Sequence, residues 1–305
     1  MKICVQTGGV TNRIGIDEGM RAIREAGFDA VDLNLDHLMQ RQEFRDKVTT
    51  GIFDRPDDEI RAMAEPFKKA LEANGLEAYQ AHAPFPSSIN DPGFDKYMIR
   101  VLEKHIMLSA YVGCKNLVVH PISRIFSAEN DMDTEHLANI ELYTALIPAA
   151  RKYGVTICLE NMFTAYKGKI IAACCNNPYE AAAYIDELNA IAGEELFAFC
   201  LDIGHATLVG ADPLHTMQIL GDRIHAFHIH DNDGKDDNHM LPYTGVTHWN
   251  RFIQGLKSIG FSGALSFETF NATETFPVEL TPEVLRLIAA TGRYFSDCVE
   301  WKAQA

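Results

Sequence analysis

No window of this sequence approaches the roughly 20 consecutive apolar residues that a membrane span requires. Its opening, Met1-Lys2-Ile3-Cys4-Val5-Gln6, lacks the positive region, apolar run and small-residue cleavage site of a secretory leader, and reads directly as strand. The seven cysteines are odd in number and contain no CxxC spacing. Several occupy buried-strand positions, which suits a reducing compartment and sets a cytoplasmic expectation. The adjacent Cys174 and Cys175 read as packing residues. Positive charge is scarce: 27 Lys and Arg face 42 Asp and Glu, a net charge of −15. Neutralising phosphates takes clustered Lys and Arg, so this balance argues against nucleic acid and anionic membranes as partners. A phosphate-cradling GxGxxG turn is also missing. Thr7-Gly8-Gly9-Val10-Thr11-Asn12 has the wrong spacing, which argues against a doubly wound dinucleotide fold.

What is present is alternation. Strand-like runs at Lys2–Gln6, Ala30–Leu35, Glu77–His82, Asn116–His120, Thr156–Glu160, Ala198–Asp202, Ala226–His230 and Ala264–Glu268 are separated by amphipathic runs. Helices are expected over Asp17–Ala26, Asp57–Asn74, Phe94–Val112, Thr134–Tyr153, Pro178–Ala192, His248–Ser258 and Pro282–Trp301. Many stop at a glycine, among them Gly27, Gly75, Gly113, Gly154 and Gly260, and Pro178, Pro213 and Pro282 sit where first-turn prolines belong. Eight strand–helix repeats in 305 residues, 47% of them apolar, predict a single-domain (β/α)8 TIM barrel spanning residues 1–305. The longer segments, 36–56, 83–94, 121–133 and 231–247, follow strands and fall on the C-terminal rim, where barrel active sites are built.

Strand parity separates two faces. Thr156, Cys158 and Glu160 share one face of their strand; Ala198, Cys200 and Asp202, Ala226, His228 and His230, and Ala264, Ser266 and Glu268 repeat the pattern. The opposite face is bulky and apolar. Small residues inside the barrel thus lead to a charged or imidazole tip at its mouth. His82 and His120 have the same inward parity. Carboxylates converging on one volume repel each other unless a cation sits among them. Glu160, Asp202, His228 and Glu268 therefore predict one divalent metal ion. Their mostly hard donor set suits Mn²⁺ foremost, with Mg²⁺, Co²⁺ and Zn²⁺ as alternatives.

The ordered set His82-Ala83-Pro84, His120-Pro121, Leu159-Glu160-Asn161, Asp202-Ile203-Gly204-His205-Ala206, His228-Ile229-His230-Asp231, Asp237-Asn238-His239 and Phe267-Glu268-Thr269 resembles the xylose isomerase-like TIM-barrel superfamily. That superfamily holds sugar phosphate isomerases and epimerases, ketose 3-epimerases, inosose dehydratases and endonuclease IV. The resemblance to ketose 3-epimerases implies that Glu160 and Glu268 are also the catalytic acid/base pair and that His205 touches substrate. Two departures stand out: that group's second glutamate falls on Tyr166, and its arginine on Gly234. The resemblance to endonuclease IV implies a three-zinc cluster instead, with His82, His120, Glu160, Asp202, His205, His228, Asp237, His239 and Glu268 as its ligands.

The leading expectation is a metal-dependent isomerase or epimerase acting on a sugar or keto-sugar. It would abstract a proton next to a carbonyl through a metal-stabilised enediolate. Loss of a β-leaving group would make the same start a dehydratase or lyase, including C-glycoside cleavage; endonuclease IV-like cutting of abasic DNA is the other alternative. His82, His120, His205, His239 and Asp237 are expected to bind substrate, with Trp249 and Phe85 as an apolar wall, Trp249 reading equally as core of the helix that follows. Asp231 reads either as a carboxylate fixing an imidazole or as a turn residue. His37, His105, His136, His215 and His248 read as surface residues. A homo-oligomer is expected only by analogy with other barrels.

Overall fold

The computed structural model describes residues 1–35, 38–123 and 132–300. His37, the middle of the 121–133 segment and Trp301 lie outside these residues. Eight parallel strands form the sheet: β1 (Lys2–Gln6), β2 (Ala30–Asn34), β3 (Glu77–His82), β4 (Asn116–Val118), β5 (Thr156–Glu160), β8 (Phe197–Asp202), β9 (Ile224–His228) and β10 (Ala264–Phe267). Between β5 and β8, β6 (Phe163–Tyr166) and β7 (Lys169–Ala172) make a separate antiparallel hairpin. The ring closes between β9 and β10 just beyond their ends, where Ile229 N donates to Ser266 O at 2.8 Å and Glu268 N to Ile229 O at 3.1 Å. The architecture is the TIM barrel that the alternation predicts.

Each barrel strand is followed by a helix on the outside, from Ile16–Ala26 after β1 to Thr281–Glu300 after β10. Their starts follow the sequence signals: Asn177 and Asp212 cap helices that open with Pro178 and Pro213, their side chains accepting from Tyr179 N and Leu214 N. Large apolar side chains such as Ile3, Leu33, Phe199, Phe227 and Phe267 fill the layer between sheet and helices. The barrel interior holds the small residues that parity assigns to it, Cys158, Ala198, Cys200 and Ala226 together with Val118, and Cys4, Ala30 and Ala264 packed with Tyr79. Cys174 and Cys175 are buried free thiols.

Four expected strands end early: Ala30–Leu35 stops at Asn34, Asn116–His120 at Val118, Ala226–His230 at His228 and Ala264–Glu268 at Phe267. There the backbone leaves the ladder to carry its side chains over the mouth. The rim also contains short elements that the sequence reading did not include: helices Gly8–Ile14, Ile203–Leu208 and Phe270–Thr275, and the β6–β7 hairpin. The hairpin turns on Lys167 and Gly168, both with positive φ, which is the geometry a tight two-residue turn requires.

His105 corrects its surface assignment. It is 1% exposed, its Nδ1 meets Val101 O at 2.8 Å, and its ring packs on Phe53. His215 and His248 are exposed as expected, and His136 is half-buried against Glu187. Among the described residues no helix is long and apolar enough to cross a membrane.

Candidate metal centre

Four strand ends converge on one imidazole. His228 Nδ1 lies 3.0 Å from Glu160 Oε1, 3.6 Å from Glu268 Oε2 and 3.8 Å from Asp202 Oδ2. All four side chains are buried, Glu268 least so at 6% exposure. Asp202 is fixed by its own chain: its Oδ1 caps the helix that starts at Ile203, accepting from His205 N at 2.6 Å, which leaves Oδ2 for the cluster. The Asn161 side chain closes the β5–β8 gap, accepting from Asp202 N and donating to Asp202 O, both at 2.8 Å.

A second arc of donors sits beside the first. His205 Nε2 is 3.4 Å and His239 Nε2 3.1 Å from Asp237 Oδ2, and His230 Nε2 is 3.0 Å from Asp202 Oδ2. On the β3–β4 side, His120 Nε2 is 3.2 Å and His82 Nε2 4.0 Å from Glu160 Oε2. A cavity of about 430 Å³ opens over these groups, within the range of small-molecule sites. His82, His120, His205, Asp237 and His239 all line it, as does Phe85.

Trp249 does not, and its expected place in a substrate wall is corrected. It is 3% exposed, stacks on Phe295 with ring centres 5.3 Å apart, and donates its Nε1–H to Asp231. Among the described residues Asp231 pairs with no imidazole. Its buried carboxylate accepts from Asn232 N, Gly245 N, Thr247 N and Trp249 Nε1, each at 3.0 Å, and so holds the loop that carries Asp237 and His239. Asp231→Asn would set an amide NH2 against N–H donors. The expected cost is about 1–3 kcal/mol in denaturant unfolding, with weaker cation retention; unchanged unfolding would refute this role.

Several participants were not singled out from sequence. Asp32, fully buried on β2, lies 3.3 Å from His228 Nε2 and accepts from Gln80 Nε2 at 2.8 Å, so it backs the imidazole from below. The available signal was an inward-parity acid in an apolar strand. His230, whose inward parity was visible, is wholly buried between Asp202 and His239. Phe163, Phe270, Gln6, Asn34 and Arg41 complete the cavity wall.

The electrostatics suit a cation. Burial alone would raise Glu160, yet His228 and His120 hold it well below the usual carboxylate range. Burial disfavours charge on His205 and His239, yet Asp202 and Asp237 hold the first up at about 10, and Asp237 and Glu268 hold the second up at about 9. His228 is raised in the same way, against its burial, by Cys200, Glu268 and Glu160. Burial drives His120 down to about 3. Glu160 Oε2, His230 Nδ1 and Asp237 Oδ1 are buried atoms left without a hydrogen-bond partner. Donor atoms of Asp202, His228 and Glu268, and separately of Asp202, His205 and His230, lie within 4.8 Å of one another. All three shifts favour the protonated imidazole where a metal would need a lone pair. Loading a divalent cation on the His228 set should expel a proton, so apparent affinity should rise about tenfold per pH unit through neutrality and fall as pH falls. Occupation of the His205–His239 arc should expel more. Calorimetry in buffers of different ionisation heat reads the number; loading without proton release would contradict this electrostatic account.

A family model described as xylose isomerase-like TIM barrel matches residues 20–291. An uncharacterized protein of Methanocaldococcus jannaschii is 28% identical over 216 residues, 68% of this chain and 70% of that protein. One from Sinorhizobium fredii is 25% identical over 171 residues, 56% of this chain and 52% of that protein. Solved structures share the fold. A D-tagatose 3-epimerase-like protein has 21% identity and a TM-score of 0.67, over 95% of this chain and 99% of that one. A 3-keto-D-glucoside 4-epimerase from E. coli has 18% and 0.68, over 95% and 99%. The IOLI protein with a zinc atom has 17% and 0.69, over 98% of each chain. The family match, the closed parallel barrel and the strand-end donors agree: the chain belongs to the xylose isomerase-like TIM barrel family.

Proposed function

We propose that this chain, acting as one domain, is a divalent-metal-dependent isomerase or epimerase of a sugar or keto-sugar. The observation that carries the reading is the pair Glu160 and Glu268, brought from β5 and β10 to 3.0 and 3.6 Å of one imidazole nitrogen at the floor of a cavity. Glu160, Asp202, His228 and Glu268 would hold the cation. When bound, it supplies Lewis acidity that makes a proton next to a carbonyl easier to remove. Two of the solved structures of the same fold carry 3-epimerase-like and 4-epimerase names, which supports the sugar class for this chain.

The chain's residues supply the rest. One glutamate accepts the proton from carbon, and the C–H electron pair moves toward the carbonyl to give an enediolate. The other glutamate, on a different strand, returns a proton. Return to the opposite face of the same carbon epimerizes; return to the neighbouring carbon isomerizes. His82 is oriented by its Nδ1 contact with Ala83 O at 2.9 Å, which turns its Nε2 toward the cavity for a hydroxyl group, and His205 by Asn161 O at 2.8 Å, with its Nε2 shared with Asp237 Oδ2 at 3.4 Å. Phe85, Phe163 and Phe270 supply the apolar part of the cavity wall.

The test is deuterium uptake from heavy water at carbons next to the carbonyl, across a panel of sugars and keto-sugars, with and without chelator. Absence of chelator-sensitive uptake on every panel member would refute the proposal, and elimination products would move the protein to the lyases. A second reading draws on the gathering of His82, His120, His205, Asp237 and His239 around the four-residue set: a trinuclear phosphodiesterase. Three cations per chain with incision of abasic DNA would favour it; one cation with sugar proton exchange would dismiss it.

A further inference from the structure

The cavity has two chemically different poles. Around the closed ring the strands run β1, β2, β3, β4, β5, β8, β9, β10, so β1 faces β5 and β2 faces β8 across the barrel. Glu160 and Asp202 end β5 and β8. Across from them the cavity is lined by Gln6 at the end of β1, Asn34 at the end of β2 and Arg41 from the segment after β2. Gln6 Oε1 accepts from Gly8 N at 2.7 Å, which leaves its amide nitrogen as a donor.

Arg41 is the unusual member. In a chain with net charge −15, arginines readily find carboxylates: Arg100, Arg151, Arg223 and Arg251 each hold one. Arg41 lines the cavity and makes no hydrogen bond or ion pair among the described residues. Its backbone is well anchored. Gln40 N donates to Glu43 Oε2 at 2.6 Å, Phe44 packs on Phe94 with ring centres 5.3 Å apart, and Arg100 Nη2 donates to Thr49 O at 2.9 Å. An anchored segment therefore presents an exposed guanidinium at the cavity edge with no protein acceptor among the described residues, and its planar fork of N–H groups matches a carboxylate or phosphate.

We infer that the substrate carries an anionic group, a carboxylate or a phosphate monoester, at the end away from its reacting carbons, and that Arg41 receives it. The inference rests on the proposed sugar chemistry at Glu160 and Glu268. It also sets the direction of binding. With Arg41 on the β1–β2 side of the cavity and Glu160 and Asp202 ending the strands across from it, the charged end of the substrate goes to Arg41 while its neutral carbonyl end meets the cation-holding pole.

The experiment uses the metal-loaded full chain with three matched probes: D-fructose, D-fructuronate and D-fructose 6-phosphate. Calorimetry reads affinity, and deuterium uptake reads proton exchange independently. At least one anionic probe should bind about tenfold or more tighter than D-fructose, and whether it is the carboxylate or the phosphate identifies the source. R41Q should erase that preference while its metal content and melting curve match wild type. R41K should restore part of it for the phosphate and less for the carboxylate. Equal affinity for the neutral and anionic probes, a preference that survives R41Q, or binding of none of the three overturns the inference. A preference erased by R41Q with no deuterium uptake on any sugar would sink the isomerase reading and leave the anion site standing. Uptake with equal affinities would do the reverse.

Discussion

Glu160→Gln is expected to lower sugar proton exchange by on the order of 10³-fold or more and to strip the chain of its divalent cation. An acid/base carboxylate alone contributes about 10²–10⁴-fold, and Glu160 is placed to be a ligand as well. It is 1% exposed, its Oε1 meets His228 Nδ1 at 3.0 Å, and its Oε2 faces His120 and His82. An amide is neutral and offers one acceptor oxygen where the carboxylate offers two. Glu268→Gln gives the informative contrast. Glu268 stands one residue past β10, lines the cavity and is 3.6 Å from the same nitrogen. Its replacement should cost a similar factor in exchange and less in metal content, because Glu160, Asp202 and His228 remain. Metal analysis beside deuterium uptake separates the two roles. An E160Q protein that keeps its cation and exchanges within tenfold of wild type would remove Glu160 from both.

The barrel was legible because its signals repeat. Small inward residues on four successive strands, each ending in an acid or a histidine, fixed the interior face and its mouth together. That logic stopped short of His205 and His239, since both lie off the strands and loops have no parity; His205 stood out only as the neighbour of Asp202 past Gly204, and the roles of both came from the resemblance. Asp32 was missed because one buried acid in one strand is a weak signal, and its meaning depends on His228 arriving from the far side of the ring. His105 was misread by residue type. The period was there: Phe94, Tyr97, Val101 and His105 recur on the buried face of the helix Pro92–Tyr111, where a histidine satisfied by a backbone carbonyl packs as core. Trp249 was misassigned because its place is set by Asp231, eighteen residues earlier, through a loop closure that no periodicity encodes. The first short rim helix escaped because Gly8-Gly9 reads as a turn, and the helices Ile203–Leu208 and Phe270–Thr275 because six residues are too few to show a period.

Gly204→Ala should be the most damaging single-methyl change in the chain. Gly204 is the second residue of the helix that carries His205, and a Cβ there would overlap the His230 imidazole. That ring has nowhere to go. It is wholly buried, stacked on His239 with ring centres 4.2 Å apart, and bound through Nε2 to Asp202 at 3.0 Å. Alanine must therefore push His230 off Asp202 or shift the helix start that Asp202 caps. Overpacking of this kind costs about 1–3 kcal/mol or more, and a buried carboxylate left without its partner adds about 1–3 kcal/mol. The sum predicts about 2–6 kcal/mol in denaturant unfolding and loss of cation binding at Asp202. The double variant Gly204→Ala/His230→Ala tests the cause. Removing the ring removes the overlap, so the double variant should be more stable than Gly204→Ala alone while still binding metal poorly, because Asp202 has lost the imidazole that orients it. If the two changes add without coupling, His230 is not what excludes a side chain at position 204.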